Sequence, residues 1–499
     1  MHQHQRQRPH GRPHLRLALA TATAAALTGG LLTSVAGPAA AADSTRVAQA
    51  DFNGDGRGDV AFSAQGAHVG GRAEAGQVVV LYGTATGVSS AKRHVISQNT
   101  TGSPGTAETG DLFGFDTAYA DFNADGYDDL AVSAPQEDVG SDRDGGGVAV
   151  LWGSSSGITG KGVTVADPAP SSHDQWGRHL AAGDFDGDGR ADLAVSNSSA
   201  TVHVFKGGFT SAGTPGGRYT VKPPVMGTDA GGPRNLTAGD VNGDGRTDLV
   251  VDGFETETGH GWNRNYFVPG TTSGLSTGGL QELKPGVITA IGDIDRDGYG
   301  DIVTGVHWNA VEDGQTMPDA AKGGKVWITY GSPGGPGAVT GITQDTGNVP
   351  GASETNDYFG YELDLGDIDG DGYLDLAVGV AGENIGSAAD TGAVTILYGT
   401  ANGLDTSSGA QSFAQSTAGV PGDDETDDML GMDVKLDDVT GDGRADLVAG
   451  SAENAGNGAV LYLPSNGTRI TTTGSRTVSP STSGVSTSGT PFFGANFAD

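Results

Sequence analysis

The chain predicts an all-β fold, a seven-bladed β-propeller of four-stranded blades, and three observations carry that prediction. A nine-residue pattern with oxygen-bearing side chains at positions 1, 3, 5 and 9 and Gly at position 6 occurs seven times. Its copies start 70, 63, 56, 53, 74 and 71 residues apart, and residues 43–499 divide into units of about 65, a period at which self-similarity means stacked or radial repeats. Four short apolar runs follow one another in a unit, and a composition with 87 glycines suits strands and turns better than helices.

The repeated pattern is the first element. Its oxygen-bearing side chains are Asp51, Asn53, Asp55 and Asp59; Asp121, Asn123, Asp125 and Asp129; Asp184, Asp186, Asp188 and Asp192; and Asp240, Asn242, Asp244 and Asp248. The remaining copies supply Asp293, Asp295, Asp297 and Asp301; Asp367, Asp369, Asp371 and Asp375; and Asp438, Thr440, Asp442 and Asp446. A hard divalent cation takes six to eight oxygens from a chain that wraps it, including a main-chain carbonyl, and needs a sharp turn. Gly at position 6 supplies the turn, and position 7 (Arg57, Tyr127, Arg190, Arg246, Tyr299, Tyr373 and Arg444) is free to vary if only its carbonyl is used. The pattern reads as a calcium loop, with up to seven structural Ca²⁺ ions expected. It is not an EF-hand, because position 12 is Phe62, Val132, Val195, Val251, Thr304, Val378 or Ala449 rather than Glu, and short apolar runs follow. Each loop therefore joins two strands.

The strands come next. In the second unit Phe115 to Ala120 leads into the loop, Leu130 to Ser133 leads out, Gly147 to Trp152 forms a third strand and Val163 to Val165 a weaker fourth. The third strand recurs as QVVVLYG, GVAVLWG, KVWITYG and AVTILYG, whose alternation and aromatic ends suit a middle strand between neighbouring blades. Ahead of three loops stand the related leads PGTAETGDLFG, PGASETNDYFG and PGDDETDDMLG, ending at Gly114, Gly360 and Gly431; the third unit has the shorter DQWG, and units four and five lack the lead.

Phe-Gly, then the calcium loop, then a Ser133-Ala134-Pro135 element (Gly379-Val380-Ala381 and Gly450-Ser451-Ala452 elsewhere) resembles the FG-GAP repeat of the integrin α-subunit head, over nearly all of residues 43–499. The resemblance implies a seven-bladed propeller with calcium in hairpin loops on one face and ligands on the other. No thigh or calf domains, membrane span or cytoplasmic tail is read after the repeats, so the chain is expected to be a free-standing head. The C-terminal Phe492 to Asp499, FFGANFAD, restates the Phe-Gly strand that the first unit lacks. It is expected to supply that strand beside residues 45–50 and close the ring, leaving no unpaired edge.

Composition narrows the rest. A net charge of −34 argues against nucleic acid and anionic membrane as partners, and without metal the clustered carboxylates repel one another, so folding and calcium binding are expected to be linked. Arg6, Arg8, Arg12 and Arg16, an apolar stretch from Leu17 to about Val35 and the run Ala39 to Ala42 read as a secretory signal over residues 1–42. No other stretch reads as a membrane span, and the protein is expected outside the cell.

Several motifs are set aside. Gly153 to Gly157, GSSSG, fits a hydrolase nucleophile elbow but aligns with GTATG, GTTSG and GTANG elsewhere, so it reads as a turn. Arg57-Gly58-Asp59 spells an adhesion tripeptide whose Asp is committed to the loop, and Leu463 to Gly467 imitates a sorting motif. The histidines of the mature chain share no motif and read as scattered surface residues, so no catalytic residue is assigned.

The long, acidic loops opposite the calcium hairpins hold Glu137, Asp138, Asp142, Asp144, Glu383, Asp423, Asp424, Glu425, Asp427 and Asp428, with Trp262 and Trp308 on insertions. They point to a binding or adhesion module for an extracellular protein or carbohydrate. An extracellular hydrolase or lyase and a structural envelope component are the alternatives, and the oligomeric state stays open.

Overall fold

The computed structural model describes residues 21–22, 49–227, 231–258 and 261–498. The expected leader, residues 1–42, lies outside this set except for Thr21–Ala22, which pairs in parallel with Thr237 and Ala238. Seven antiparallel sheets follow in chain order, each an up-and-down meander, so the fold is a seven-bladed propeller. Blade 2 is typical: Thr117–Ala120, Asp129–Ala134, Gly147–Leu151 and Gly162–Thr164 pair in sequence, with Ala120 opposite Asp129 and Leu130 opposite Leu151. Among the described residues no helix is long and apolar enough to cross a membrane.

The core is a ring of layers between blades, a consequence of period-2 side-chain alternation. In the third strand of blade 1, Val78 and Val80 face blade 2 among Tyr119, Leu130 and Val132. Val79 and Leu81 face blade 7 among Val448, Val460 and Tyr462. Both faces of this strand are therefore apolar. Between blades 2 and 3 the layer gathers Phe122, Trp176, Phe205 and Phe209.

The aromatic that ends the third strand acts as a strut to the next blade. The Tyr82 hydroxyl accepts from the Ile158 amide at 2.9 Å, and in blade 3 a tyrosine of the fourth strand, Gly217–Val221, takes the same part, the Tyr219 hydroxyl accepting from the Leu275 amide at 2.8 Å. A Cβ on Gly157 would lie 2.1 Å from the Tyr82 hydroxyl, and one on Gly274 2.3 Å from that of Tyr219. Within GSSSG the Ser154 Oγ donates to the Gly157 carbonyl at 2.9 Å. That motif is a turn whose last glycine admits a tyrosine.

At four junctions the Phe-Gly element joins a blade to the one before it. Trp176, Phe359, Leu430 and Phe493 form parallel bridges with Gly146, Gly324, Gly392 and Gly458. In blade 1 only Val60–Ala64, Gln77–Leu81 and Arg93–Ile96 come from the N-terminal part of the chain. On the inner side of Val60–Ala64 lie residues 494–498: Gly494 N donates to Ser63 O at 3.0 Å, Ser63 N to Asn496 O at 2.7 Å and Ala498 N to Ala61 O at 2.8 Å. Asp59 N then donates to Ala50 O at 2.6 Å, so Ala50 continues the line that residues 496–498 begin.

Candidate functional site

Each nine-residue pattern forms the turn between the first and second strands of a blade, which places the seven acidic turns at one end of the strands. Position 2 anchors it: Phe52, Phe122, Phe185, Val241, Ile294, Ile368 and Val439 are all fully buried between blades. Position 1, buried in four copies and half-buried in Asp51, Asp121 and Asp367, organises the turn. Asp51 accepts the amides of Asp55 at 3.0 Å and Gly56 at 2.8 Å, and Asp184 accepts those of Gly187, Asp188 and Gly189 at 2.8, 3.0 and 2.8 Å. Position 5 takes the amide of position 7, as Asp188 does from Arg190 at 3.0 Å.

Position 9 is the buried wall of the site. Asp59, Asp129, Asp192, Asp248, Asp301, Asp375 and Asp446 are each at most 2% exposed. One oxygen accepts the amide of the residue just past the third strand: Gly83, Gly153, Gly207, Gly270, Gly331, Gly399 or Ser465, at 2.8 to 2.9 Å. Burial pushes these carboxyls up, with the loop's own acids adding to the effect. Asp59, Asp129, Asp301 and Asp375 reach about 8, and Asp192, Asp248 and Asp446 about 7.

In three turns the carboxylate oxygens at positions 1, 3 and 5 lie within 4.8 Å of one another: Asp184, Asp186 and Asp188; Asp293, Asp295 and Asp297; and Asp367, Asp369 and Asp371. The other four have Asn or Thr at position 3, and Asn53 Nδ2 there donates to both oxygens of Asp59, at 3.2 and 3.0 Å. Buried oxygens without a hydrogen-bond partner remain in Asn123 Oδ1, Asp192 Oδ2 and Asp446 Oδ2. An all-oxygen donor set with orphaned buried oxygens has the chemistry a hard divalent cation takes. Among the described residues basic side chains reach four position-3 or position-5 acids: Lys92 Nζ lies 3.1 Å from Asp55 Oδ2, Lys206 Nζ pairs with Asp186, Arg246 with Asp244, and Arg444 Nη1 lies 3.8 Å from Asp442 Oδ2.

Two features escape a reading of the loops one at a time. Glycine at the end of the third strand is required because a Cβ on Gly153 would fall 2.1 Å from the Asp128 carbonyl oxygen, and one on Gly399 2.3 Å from that of Leu374. Replacing Gly153 by Ala should destabilise blade 2 by about 3 kcal/mol in a urea melt, because backbone must shift. Blade 7 accepts a Cβ there and uses it: Ser465 Oγ donates to Ile368 O at 2.6 Å, so Ser465→Gly should cost about 1 kcal/mol through that lost hydrogen bond. The second feature corrects the expectation that position 7 matters only through its carbonyl. A Cβ on Gly54 would lie 2.8 Å from the Tyr127 ring, on Gly187 2.9 Å from Arg246, on Gly243 2.9 Å from Tyr299 and on Gly441 2.9 Å from Arg57. The position-7 side chain of one turn thus rests on the position-4 glycine of the preceding turn, and Arg57 Nε donates to Thr440 O at 3.2 Å. The turns touch around the rim, from blade 7 to blade 1 as well.

The FG-GAP repeat profile matches residues 45–81, 232–262 and 359–397, and the FG-GAP-like repeat profile residues 121–195. The chain is an integrin-α-like FG-GAP propeller. It is 27% identical over 271 residues to integrin alpha-PS2 of Drosophila melanogaster, covering 53% of this chain and 15% of that one. It is 27% identical over 233 residues to integrin alpha-5 of Xenopus laevis, covering 43% and 21%. It is also 35% identical over 151 residues to the phosphatidylinositol-glycan-specific phospholipase D of Mus musculus, covering 30% of this chain and 18% of that enzyme. The matched regions cover 15 to 21% of the length of these relatives.

Other motif residues fall as follows. Asp59 of Arg57-Gly58-Asp59 is 2% exposed, with both oxygens hydrogen-bonded. Three histidines depart from the surface reading, because His173, His179 and His203 are buried. His179 Nδ1 lies 2.9 Å from Asp116 Oδ2 on the inner strands of blades 2 and 3, and burial lowers its pKa well below the ordinary value. His173 stacks on Trp176 and lies 5.7 Å from the His203 ring. Of the acidic residues on the opposite loops, Asp428 is buried at 3% exposure while Asp138, Asp142, Asp144, Asp423, Glu425 and Asp427 are not.

Proposed function

We propose that this FG-GAP propeller is a secreted, calcium-binding module that binds or adheres to an extracellular protein or carbohydrate ligand, with calcium in the seven turns and the ligand on the opposite face. One observation carries the calcium part: a buried position-9 acid walls the turn in every blade, and in three turns the carboxylates at positions 1, 3 and 5 converge to within 4.8 Å. In each turn the position 1, 3, 5 and 9 oxygens and the position-7 carbonyl would hold the ion, which would displace the proton that burial otherwise keeps on the position-9 carboxyl. The ligand part rests on the likeness to integrin α chains and on the loops between second and third strands and between blades. Those loops carry the exposed acids and Trp308.

Calcium bound per chain, counted by equilibrium dialysis, together with capture of immobilised matrix proteins and glycans with and without chelator, tests the reading. Near-stoichiometric loading of the turns and chelator-sensitive capture are expected. A protein that takes up no calcium at millimolar concentration would overturn the metal assignment.

The likeness to a phosphatidylinositol-glycan-specific phospholipase D favours a second reading, an extracellular hydrolase on this scaffold. Release of glycan-anchored protein from vesicles by the purified chain would support it, and inactivity there would leave the binding module.

A further inference from the structure

Main-chain hydrogen bonds tie one acidic turn to the next. At five junctions the amide at position 8 of a turn donates to the carbonyl at position 1 of the turn before it: Gly58 to Asp438 at 2.8 Å, Asp128 to Asp51 at 3.3 Å, Thr247 to Asp184 at 2.9 Å, Gly300 to Asp240 at 3.0 Å and Ala445 to Asp367 at 2.8 Å. At the same five junctions the position-7 side chain lies against the position-4 glycine of the preceding turn; Arg444 completes that set, its Nε 3.2 Å from the place of a Cβ on Gly370. Position 8 stands between the position-7 carbonyl and the position-9 carboxyl, two groups that would hold the ion of its own turn. It grips the residue whose carboxylate would hold the ion of the neighbour. Between blades 1 and 2 the grip is mutual, because Asp51 N also donates to Asp128 Oδ2 at 2.8 Å.

Two junctions differ. Between blades 5 and 6, position 4 is Arg296, whose Nη1 donates to Asp371 O at 3.1 Å and whose guanidinium lies 5.4 Å from the centre of the position-7 Tyr373 ring. That side chain replaces the main-chain tie. Between blades 2 and 3 no hydrogen bond joins position 8 to position 1 among the described residues. Position 4 there is Ala124, and Arg190 turns to its own blade, its Nη1 2.9 Å from the place of a Cβ on Gly208. The Phe122 carbonyl instead accepts the amides of Gly208 and Phe209, which follow the third strand of blade 3. The seven turns therefore form an open series, from blade 3 through blades 4, 5, 6, 7 and 1 to blade 2, with a single gap.

We propose that calcium binding is cooperative along this series and interrupted at the gap, with the position-7 side chain and the position-8 amide acting as positioning groups for the ion of the preceding turn. The inference rests on the calcium reading of the turns. An ion in one turn fixes its positions 7 to 9, and through position 8 it fixes the main chain at position 1 next door. The second ion then meets a carboxylate that is already placed, and the cost of ordering it does not recur. Coupling of this kind is reciprocal, so an empty turn weakens the turn on either side of it wherever the ties exist. The gap between blades 2 and 3 gives the coupling a direction that a general loosening of the ring would not have.

Amide hydrogen exchange, read by mass spectrometry on peptides spanning each turn while calcium is added, gives every turn its own midpoint. Asp125→Ala, which disables the turn of blade 2, should raise the midpoint of the blade 1 turn about 5-fold and leave that of blade 3, across the gap, where it is in the parent. Asp188→Ala in blade 3 should raise the midpoint of blade 4 in the same way and leave blade 2 unmoved. Tyr127→Ala keeps every carboxylate and the position-7 carbonyl, and should still raise the midpoint of blade 1 roughly 2-fold; it carries the test if an aspartate variant does not fold. Neighbours that do not move, or that move equally on both sides of the disabled turn, overturn the coupling and leave the calcium assignment standing. A parent protein whose turns gain no protection from calcium overturns both.

Discussion

Stripping calcium with excess EDTA at pH 8 should lower the melting temperature of this propeller by roughly 15 °C or more, the largest effect that any change of solution conditions will produce. Each site saturated at 100 times its dissociation constant adds about 2.7 kcal/mol to the folded state, and a ring of such sites adds several times that. The direction of the pH dependence identifies the mechanism. Position-9 carboxyls pushed by burial up to about 7 to 8 in the folded, metal-free chain, against 3.8 for an ordinary aspartate, bind protons more tightly folded than unfolded. Their contribution is complete below pH 4 and is lost as pH rises through 7 to 8, so the EDTA-treated protein should melt lower at pH 8 than at pH 5. Calcium competes with those protons, so the gain from adding it should grow over the same interval. Differential scanning calorimetry at pH 5, 6.5 and 8, with and without the ion, measures both slopes. A melt insensitive to EDTA at pH 8, or one that rises with pH in its presence, would defeat the linkage.

The blade count and the all-β class were legible because the pattern that announces them is local. Nine consecutive residues contain the whole turn, and their spacing gives the repeat. What lay outside the sequence reading was contact between repeats. Tyr127 and Gly54 meet although 73 positions separate them, and nothing in either loop alone shows that a position-7 side chain lands on a position-4 glycine. Gly83, Gly153, Gly331 and Gly399 were visible as the ends of third strands. Their purpose was not, because the carboxylate that takes their amide belongs to a different hairpin of the blade. Composition likewise misplaced His179, whose imidazole is buried against Asp116 from the neighbouring blade. A period in sequence says which residues are equivalent; the angle between blades decides which of them touch.

Deleting residues 492–499 should have the largest effect of any short truncation, leaving a protein that oligomerises or fails to fold even in saturating calcium. The segment contributes two rings, Phe493 and Phe497, to the layer between blades 7 and 1, with centroids 4.8 and 5.8 Å from Phe62. All three are at most 1% exposed. Phe497 N also donates to Asp433 Oδ2 at 2.6 Å on the inner strand of blade 7. Without the segment, Val60–Ala64 becomes a bare apolar edge open to pairing with another copy. Phe497→Ala alone should cost about 3–5 kcal/mol, because it empties one face of that layer without removing the backbone pairing. Light scattering and amide exchange at residues 60–64 read the truncation; an unchanged monomer with protected amides there would show that blade 1 stands without the chain's end. A circular permutant distinguishes lost strand from lost tail. Ala498 pairs with Ala61, and Ala50 accepts from Asp59 two positions further along, so one residue inserted between Ala498 and Ala50 makes the inner strand continuous. With new termini opened in the turn at Asp313 and Gly314, that permutant should melt within a few degrees of the parent, since it keeps every interblade layer while the last residues no longer end the chain. If it melts as low as the truncation does, the segment stabilises the ring by something other than completing blade 1.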